Sequence, residues 1–372
     1  IFEVTIPAAA ALTLPDGTGV KFQTNSPYQH SSIAGYGQAT LHLGEQFNLL
    51  AGLRYTHDKV TAQPVQYYAV IPPRTAKSDA LTGKVSLEYK VTPSNMIYVT
   101  GSKGYKPTGL TFSNGGLIVP THFEKETVWA AEIGSKNEFF NKKVRLNLAG
   151  YYYWYKNFQY TAEDPIPFSG GTANIPKAEI YGFEAEGSVL PFEGMRIDGN
   201  ISVGRGTFKG HYLTIDAQTA AQVRAATYAA LGYPAAYYFD QKVIDAVVAA
   251  EQDVNGKRLP KMPGVQGQLS VSYAWSMGGG RVTLGGDMFY RGAFNYRLFG
   301  VTALDRVPAY TTFNASASYV PDHGPWSVSI SAINLTDHLG INSKFSDPYG
   351  SGTTSVEYID PRQVFGTISV KW

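Results

Sequence analysis

The sequence contains no cysteine. That excludes disulfide staples, thiolate zinc sites and a cysteine nucleophile. Charge is also scarce. Asp, Glu, Lys and Arg make up 16% of the residues, against about 25% in an ordinary soluble chain. The formal net charge is only +2, which argues against a nucleic-acid surface, because such a surface needs a basic excess. Long apolar runs are missing as well. Gly, Ser, Thr or a charge interrupts each one well short of the ~20 residues that a membrane-spanning helix needs. The first residue is Ile1, with no Met, no basic n-region and no signal-type apolar stretch. On that pattern the chain reads as a mature form or a fragment.

What the sequence does hold is aromatic and small. Of its 372 residues, 26 are Tyr and 39 are Gly, and hydrophobic residues reach 44%. The mean hydropathy of −0.17 resembles that of a soluble protein. A membrane β-barrel has the same average, because only every second residue meets lipid. Periodicity separates the two cases.

The apolar residues recur with period two. Val144, Leu146, Leu148, Tyr152 and Trp154 fall on one face, while Arg145, Asn147, Tyr151, Tyr153 and Tyr155 fall on the other. This is a strand with one apolar face. Thirteen segments read this way, at roughly 31–43, 46–58, 78–90, 95–106, 125–138, 143–159, 174–190, 194–209, 260–276, 280–292, 309–320, 325–334 and 360–372. A tilted strand needs about 9–11 residues to cross a bilayer, and most of these are long enough.

The connections alternate. Short turns fall at Gly44-Glu45, Thr92-Pro93-Ser94, Phe140-Asn141-Lys142, Pro191-Phe192-Glu193, Met277-Gly278-Gly279 and Pro321–Pro325. Long connections fall at about 59–77, 107–124, 160–173, 210–259, 293–308 and 335–359. Tight periplasmic turns and long outer loops are the mark of an up-and-down outer-membrane barrel. A soluble sandwich has no reason to sort its loops by length. The expected fold is therefore all-β, a transmembrane antiparallel up-and-down β-barrel. Trp372 ends the last alternating strand, as expected for a terminal signal read by the barrel-insertion machinery. Strand parity makes the 31–43 segment start outside the cell, so a partner strand is expected before it. Residues 1–30 read as a strand end and an extracellular loop, and 31–372 as the C-terminal part of the barrel.

Several short motifs then come in order. They are Tyr36-Gly37-Gln38 with Gly52-Leu53-Arg54-Tyr55-Thr56, Tyr98 through Lys106 (Tyr-Val-Thr-Gly-Ser-Lys-Gly-Tyr-Lys), Glu132-Ile133-Gly134-x-Lys136, Gly182-Phe183-Glu184-x-Glu186, Asn334-Leu335-Thr336-Asp337 and Pro361-Arg362. Together they resemble the C-terminal barrel of TonB-dependent outer-membrane receptors, from about residue 31 to 372. The resemblance implies a barrel of about 22 strands with a plugged lumen, of which this chain would supply thirteen or fourteen. It also implies a Ton box that engages TonB and the inner-membrane energising complex. The plug, the Ton box and roughly eight strands are not in this sequence.

Catalytic and metal readings find no support. There is no Walker A motif, no Gly-x-Ser-x-Gly elbow and no HExxH. The seven His (30, 42, 57, 122, 211, 323 and 338) show no short metal spacing. No catalytic residue, metal site or cofactor is expected. Glu184 and Glu186 read as lumen charges paired with a basic neighbour such as Arg196.

The segment 214–254 breaks the period. Ala217–Ala230 and Phe239–Glu251 have helical spacing, which predicts a helical insert in an extracellular loop. That insert is either a packed hairpin or a lid. The outer loops are rich in Tyr: Tyr67, Tyr68, Tyr212, Tyr228, Tyr233, Tyr237, Tyr238, Tyr296 and Tyr349. Tyr offers large, stiff, amphipathic surface, although a barrel's interfacial girdle also uses it. Lys103, Lys106, Arg291 and Arg297 stand near the same rim. Expected ligand contacts are Lys103, Lys106, Tyr212, Tyr233, Tyr237, Tyr238, Arg291, Tyr296 and Arg297, a set suited to an anionic iron chelate. Two function classes follow. One is TonB-dependent import of a scarce nutrient: a ferric siderophore first, with cobalamin, haem, a saccharide or a plant-derived aromatic as other options. The other is a passive porin-like or structural barrel docking a partner protein or surface layer. Expected partners are TonB, the insertion machinery, outer-membrane lipid or lipopolysaccharide and a small-molecule ligand, and no nucleic acid.

Overall fold

The computed structural model describes residues 3–4, 22–23, 27–63, 65–66, 69–70, 72–111, 119–163, 170–233, 240–299, 305–346 and 354–371. Its main body is a 13-stranded antiparallel sheet in strict sequence order. The strands are β1 (Tyr28–Leu43), β2 (Phe47–Ala62), β3 (Arg74–Thr92), β4 (Asn95–Lys106), β5 (Glu126–Phe139), β6 (Val144–Glu163) and β7 (Gly170–Val189). They continue with β8 (Met195–Lys209), β9 (Val265–Ser276), β10 (Gly280–Arg291), β11 (Tyr310–Pro321), β12 (Trp326–Ile333) and β13 (Gln363–Val370). Each hydrogen-bonds to its sequence neighbour, and β1 and β13 are the two ends of the row.

All thirteen expected strands are present. Several run three to five residues further on the long-loop side. β2 ends at Ala62 rather than near 58, and β7 starts at Gly170 rather than near 174. Alternation weakens in these extensions, yet strand pairing continues. A hydrogen-bonded ladder does not need an apolar face once the strand has left a one-sided environment. β9 starts later than expected, at Val265, because Pro260 and Pro263 lack the N–H a ladder requires.

The two faces are chemically distinct. Cross-strand partners share a face. On one face Tyr98 donates to Glu132 (2.7 Å), Asn147 to Glu186 (2.6 Å) and Ser270 to Asp287 (2.5 Å). On the other, Trp129 opposes Trp154, and Tyr152 stacks on Trp154 and Tyr181 at 4.5 and 5.6 Å. Large apolar side chains such as Ile133, Leu146, Phe183 and Val203 stand exposed there. A single sheet leaves such side chains exposed only when something apolar outside the chain covers them. Trp372 and its expected outward position lie outside the described residues.

The end strands confirm an open edge. Every residue of β1 except Ala34, and every residue of β13 except Gln363, is exposed. Neither end strand pairs with the other, as expected for part of a larger barrel. An unpaired edge in lipid costs several kcal/mol for each unsatisfied backbone group.

The helical insert also forms as expected, as α1 (Ala217–Leu231) and α2 (Gln241–Ala249). Asp216 starts α1 by accepting from the backbone N–H groups of Gln218 and Thr219 at 3.0 and 3.1 Å, and so satisfies two orphan donors. Gly232 ends it at φ 65°, a left-handed turn suited to glycine. Tyr233 N–H closes that turn on the Tyr228 carbonyl at 3.0 Å. Asp240 caps α2 through Lys242 N–H. Val243, Ile244 and Val247 form the buried face of α2.

Candidate functional site at the long-loop rim

The core of the molecule lies not in the middle of the sheet but at its long-loop end. Ile175, Ala178 and Phe208 from β7 and β8 bury against Val254, Leu259 and Leu298 from the loops. Tyr155, Phe158, Tyr160 and Phe299 pack around them. Phe208 meets Phe158 and Tyr160 edge-on at 5.5 and 6.1 Å. The strand ends of β7 and β8 and the loops therefore pack as one cluster, while Ile215, Ala220 of α1 and Val247 of α2 form a second one.

Three fasteners tie the loops together. Arg297 bridges two buried carboxylates: its Nη1 lies 3.2 Å from Asp216 Oδ1, and its Nε donates to Asp305. Gln218 on α1 donates to Thr354 Oγ1 at 2.7 Å, which links the insert to the last long loop. Arg291 at the top of β10 donates to the carbonyls of Ile341 and Asn342. Its guanidinium lies between Phe294 and Tyr310, at 4.9 and 4.5 Å.

The base of the insert is held by Asp253. Its carboxylate accepts from the backbone N–H groups of Asn255 (3.0 Å) and Tyr212 (3.2 Å) and contacts His211 Nδ1 at 2.5 Å. The Asn255 N–H, followed by His211, holds this carboxyl below its ordinary range. Beside it, Lys257 Nζ donates to Gln252 at 2.7 Å and lies 5.6 Å from the Phe299 ring centre. Burial pushes its ammonium pKa down, against the pull of Asp216, Asp253 and Asp305.

The expected site residues separate into groups. Arg291, Arg297 and Tyr212 are structural members of this rim, because the first two are engaged as described and Tyr212 packs against the core. Tyr296 stacks under Lys261 Nζ at 4.7 Å. Tyr233 directly follows the α1 C-cap, Gly232. Lys106 is exposed and opposes Glu126. Lys103 stands on the apolar face, its Nζ 5.2 Å from the Trp129 ring centre, away from the rim interior. Tyr237 and Tyr238 lie outside the described residues, as do Tyr67, Tyr68 and Tyr349. Arg196 pairs with Asp198 at 2.7 Å, not with Glu184 or Glu186, whose partners are Ser202 and Asn147. Two positions along one strand bring Arg196 and Asp198 to the same face, so the local partner wins.

Below the rim, the polar face holds a groove of about 430 Å³ lined by Tyr98, Glu132, Lys136, Asn147, Glu184 and Glu186.

A protein family described as "TonB dependent receptor-like, beta-barrel" matches residues 6–335. The chain belongs to the TonB-dependent receptor family. Members of that family are transporters of the Gram-negative outer membrane, not enzymes, so the apolar face is the lipid face and the polar face lines the lumen. The chain is similar to the pesticin receptor of Yersinia pestis, at 26% identity over 178 residues, which is 46% of this chain and 25% of that receptor. In structure it is similar to the ferric yersiniabactin uptake receptor FyuA from Yersinia pestis, with a TM-score of 0.71 and 19% identity over 93% of this chain and 46% of that one. It is also similar to the siderophore receptor PiuA from Acinetobacter baumannii, with a TM-score of 0.70 and 15% identity over 93% and 44%. The chain thus spans less than half of these solved receptors and about a quarter of the curated relative. At these identities the likeness shows the fold alone.

Proposed function

We propose that this chain is the C-terminal part of the barrel of a TonB-dependent receptor that imports a ferric siderophore or similar iron chelate. Energy for the import comes from TonB, engaged through a Ton box that the family carries on its plug. The family match carries the reading. The cargo is chosen because structures sharing the fold are named as ferric yersiniabactin and siderophore receptors, and because the rim combines Tyr with cations. In this reading Lys106, Tyr233 and Tyr296, with Tyr237 and Tyr238, contact the ligand. Arg291 and Arg297 hold the loops that present them. The polar lumen wall receives the plug and the path of the cargo.

Binding by the purified full receptor tests this reading. A panel of ferric hydroxamate, catecholate and mixed-ligand siderophores is titrated, with iron-free siderophores and copper(II) alone as comparisons. Saturable binding of one ferric complex supports the proposal. Binding of none, or equal binding of copper alone, contradicts it.

A further inference from the structure

Three lysines face one another directly across neighbouring strands. Lys156 of β6 opposes Lys177 of β7, and Lys177 opposes Lys209 of β8. All three are exposed. Like charges placed directly opposite one another destabilise a strand pair, and within the chain Glu179 reaches only Lys209, so the row is unfavourable unless a further anion covers it.

The row lies on the lipid face. Lys156 follows Tyr152 and Trp154 at two-residue spacing on one strand. Lys209 Nζ lies 3.7 Å from Glu179, and the same carboxylate accepts from Tyr152 at 2.8 Å. Arg205 opposes Tyr181 and is exposed, and Lys103 lies over Trp129. Down the outer wall the order is therefore basic, aromatic, apolar: the lysines, then Trp129, Trp154, Tyr152 and Tyr181, then Phe183, Val203 and Leu146. Among the described residues, Glu179 is the one carboxylate ion-paired with these five cations.

Aromatic belts mark the headgroup level of a membrane. Two residues further along a strand is about 7 Å, so the lysines sit at the outer edge of the headgroups. The row spans two strand spacings, about 10 Å, and the ammonium groups suit phosphate as point charges. We propose that Lys156, Lys177 and Lys209 form a binding site for the phosphorylated headgroup of an anionic lipid in the outer leaflet. The acyl chains lie against the apolar wall directly beneath, which a soluble anion cannot use.

Thermal unfolding of the full receptor in nonionic detergent tests the site with three probes: diphosphorylated lipid A, the same lipid dephosphorylated, and inorganic phosphate. The expected result is a rise in Tm with diphosphorylated lipid A alone. The rise is lost in K156Q/K177Q/K209Q and kept in K156R/K177R/K209R and in the control K84Q, since Lys84 opposes Ser102, which opposes Ala130 and so shares the lumen face with Glu132. Heat-modifiable gel mobility reports whether each variant has folded; should the triple Gln variant fail to fold, K177Q at the centre of the row carries the test and is expected to reduce the shift. A full shift in the Gln variant that folds, an equal shift with dephosphorylated lipid, or the same shift with inorganic phosphate at equal phosphate concentration overturns the proposal.

Discussion

Arg297 Nη1 lies 3.2 Å from Asp216 Oδ1, the carboxylate that caps helix α1. One side chain from the β10–β11 loop thereby fixes the start of a helix 81 positions earlier. Asp216 and Asp305 are both almost wholly buried, so neither can turn to water when the guanidinium is removed. Removing one partner of a buried ion pair costs about 3–5 kcal/mol. Arg297→Ala is expected to free the insert while leaving the strands intact. Limited proteolysis should then cut between 210 and 260 in the variant at protease levels that spare the wild type. Unchanged cleavage would show that the hydrophobic cluster alone holds the insert.

The register of the sheet predicts opposite environments for adjacent residues of β6. Asn147 donates to Glu186 inside the groove, while Leu146 is exposed on the apolar face. Spin labels at Leu146 and Asn147 are expected to respond to oxygen and to a water-soluble nickel quencher in opposite senses. Equal accessibility would contradict the register. An Arg placed at Leu148, on the same face midway between the turn at 140–142 and the aromatic pair Tyr152 and Trp154, should also impair assembly, because Arg on the lipid face near the midplane costs about 2–4 kcal/mol.

Acid is expected to loosen the base of the insert before it harms the strands. The Asp253 carboxyl has a folded-state pKa below its ordinary value of 3.8, with the Asn255 N–H as the largest cause. Its contribution to stability is therefore complete above the unfolded value and is lost as pH falls through the lower folded value. Hydrogen exchange at the amides of Tyr212 and Asn255, corrected for intrinsic rate, should lose protection in that window. In Asp253→Asn the protection should be lower at neutral pH and nearly independent of acid. A wild-type profile flat below the ordinary carboxylate range would remove Asp253 from this role.

Replacing residues 216–251 with a short Gly-Ser link keeps the Leu213–Thr214 pairing with Gln252–Asp253. The variant is expected to insert normally and to lose ligand affinity. Normal insertion with unchanged affinity would make the helices mere packing.

The strands were readable from sequence because lipid enforces a two-residue period, and Val144 to Trp154 shows it with Gly150 as the one position on that face without a side chain. The helices were readable because Ala-rich helical spacing replaces that period, whereas the cap at Asp216 emerges only from the structure. The rim was not readable in the same way. As a basic residue in a Tyr-rich outer loop Arg297 reads as a ligand contact; its partners Asp216 and Asp305 are brought in by tertiary packing. Lys103 looked like a rim cation, but the period that located its strand also places it on Trp129's face. The opposition of Lys156, Lys177 and Lys209 has no signal in the sequence, since it exists only once three strands are in register.

Uptake of iron-55 as the ferric siderophore that the receptor binds best is the most direct measurement, made in cells with and without this receptor and with and without TonB. Uptake that requires both is the predicted result. Uptake that needs the receptor but proceeds without TonB, or passage of small sugars at a porin-like rate, would contradict an energised importer and favour a passive barrel.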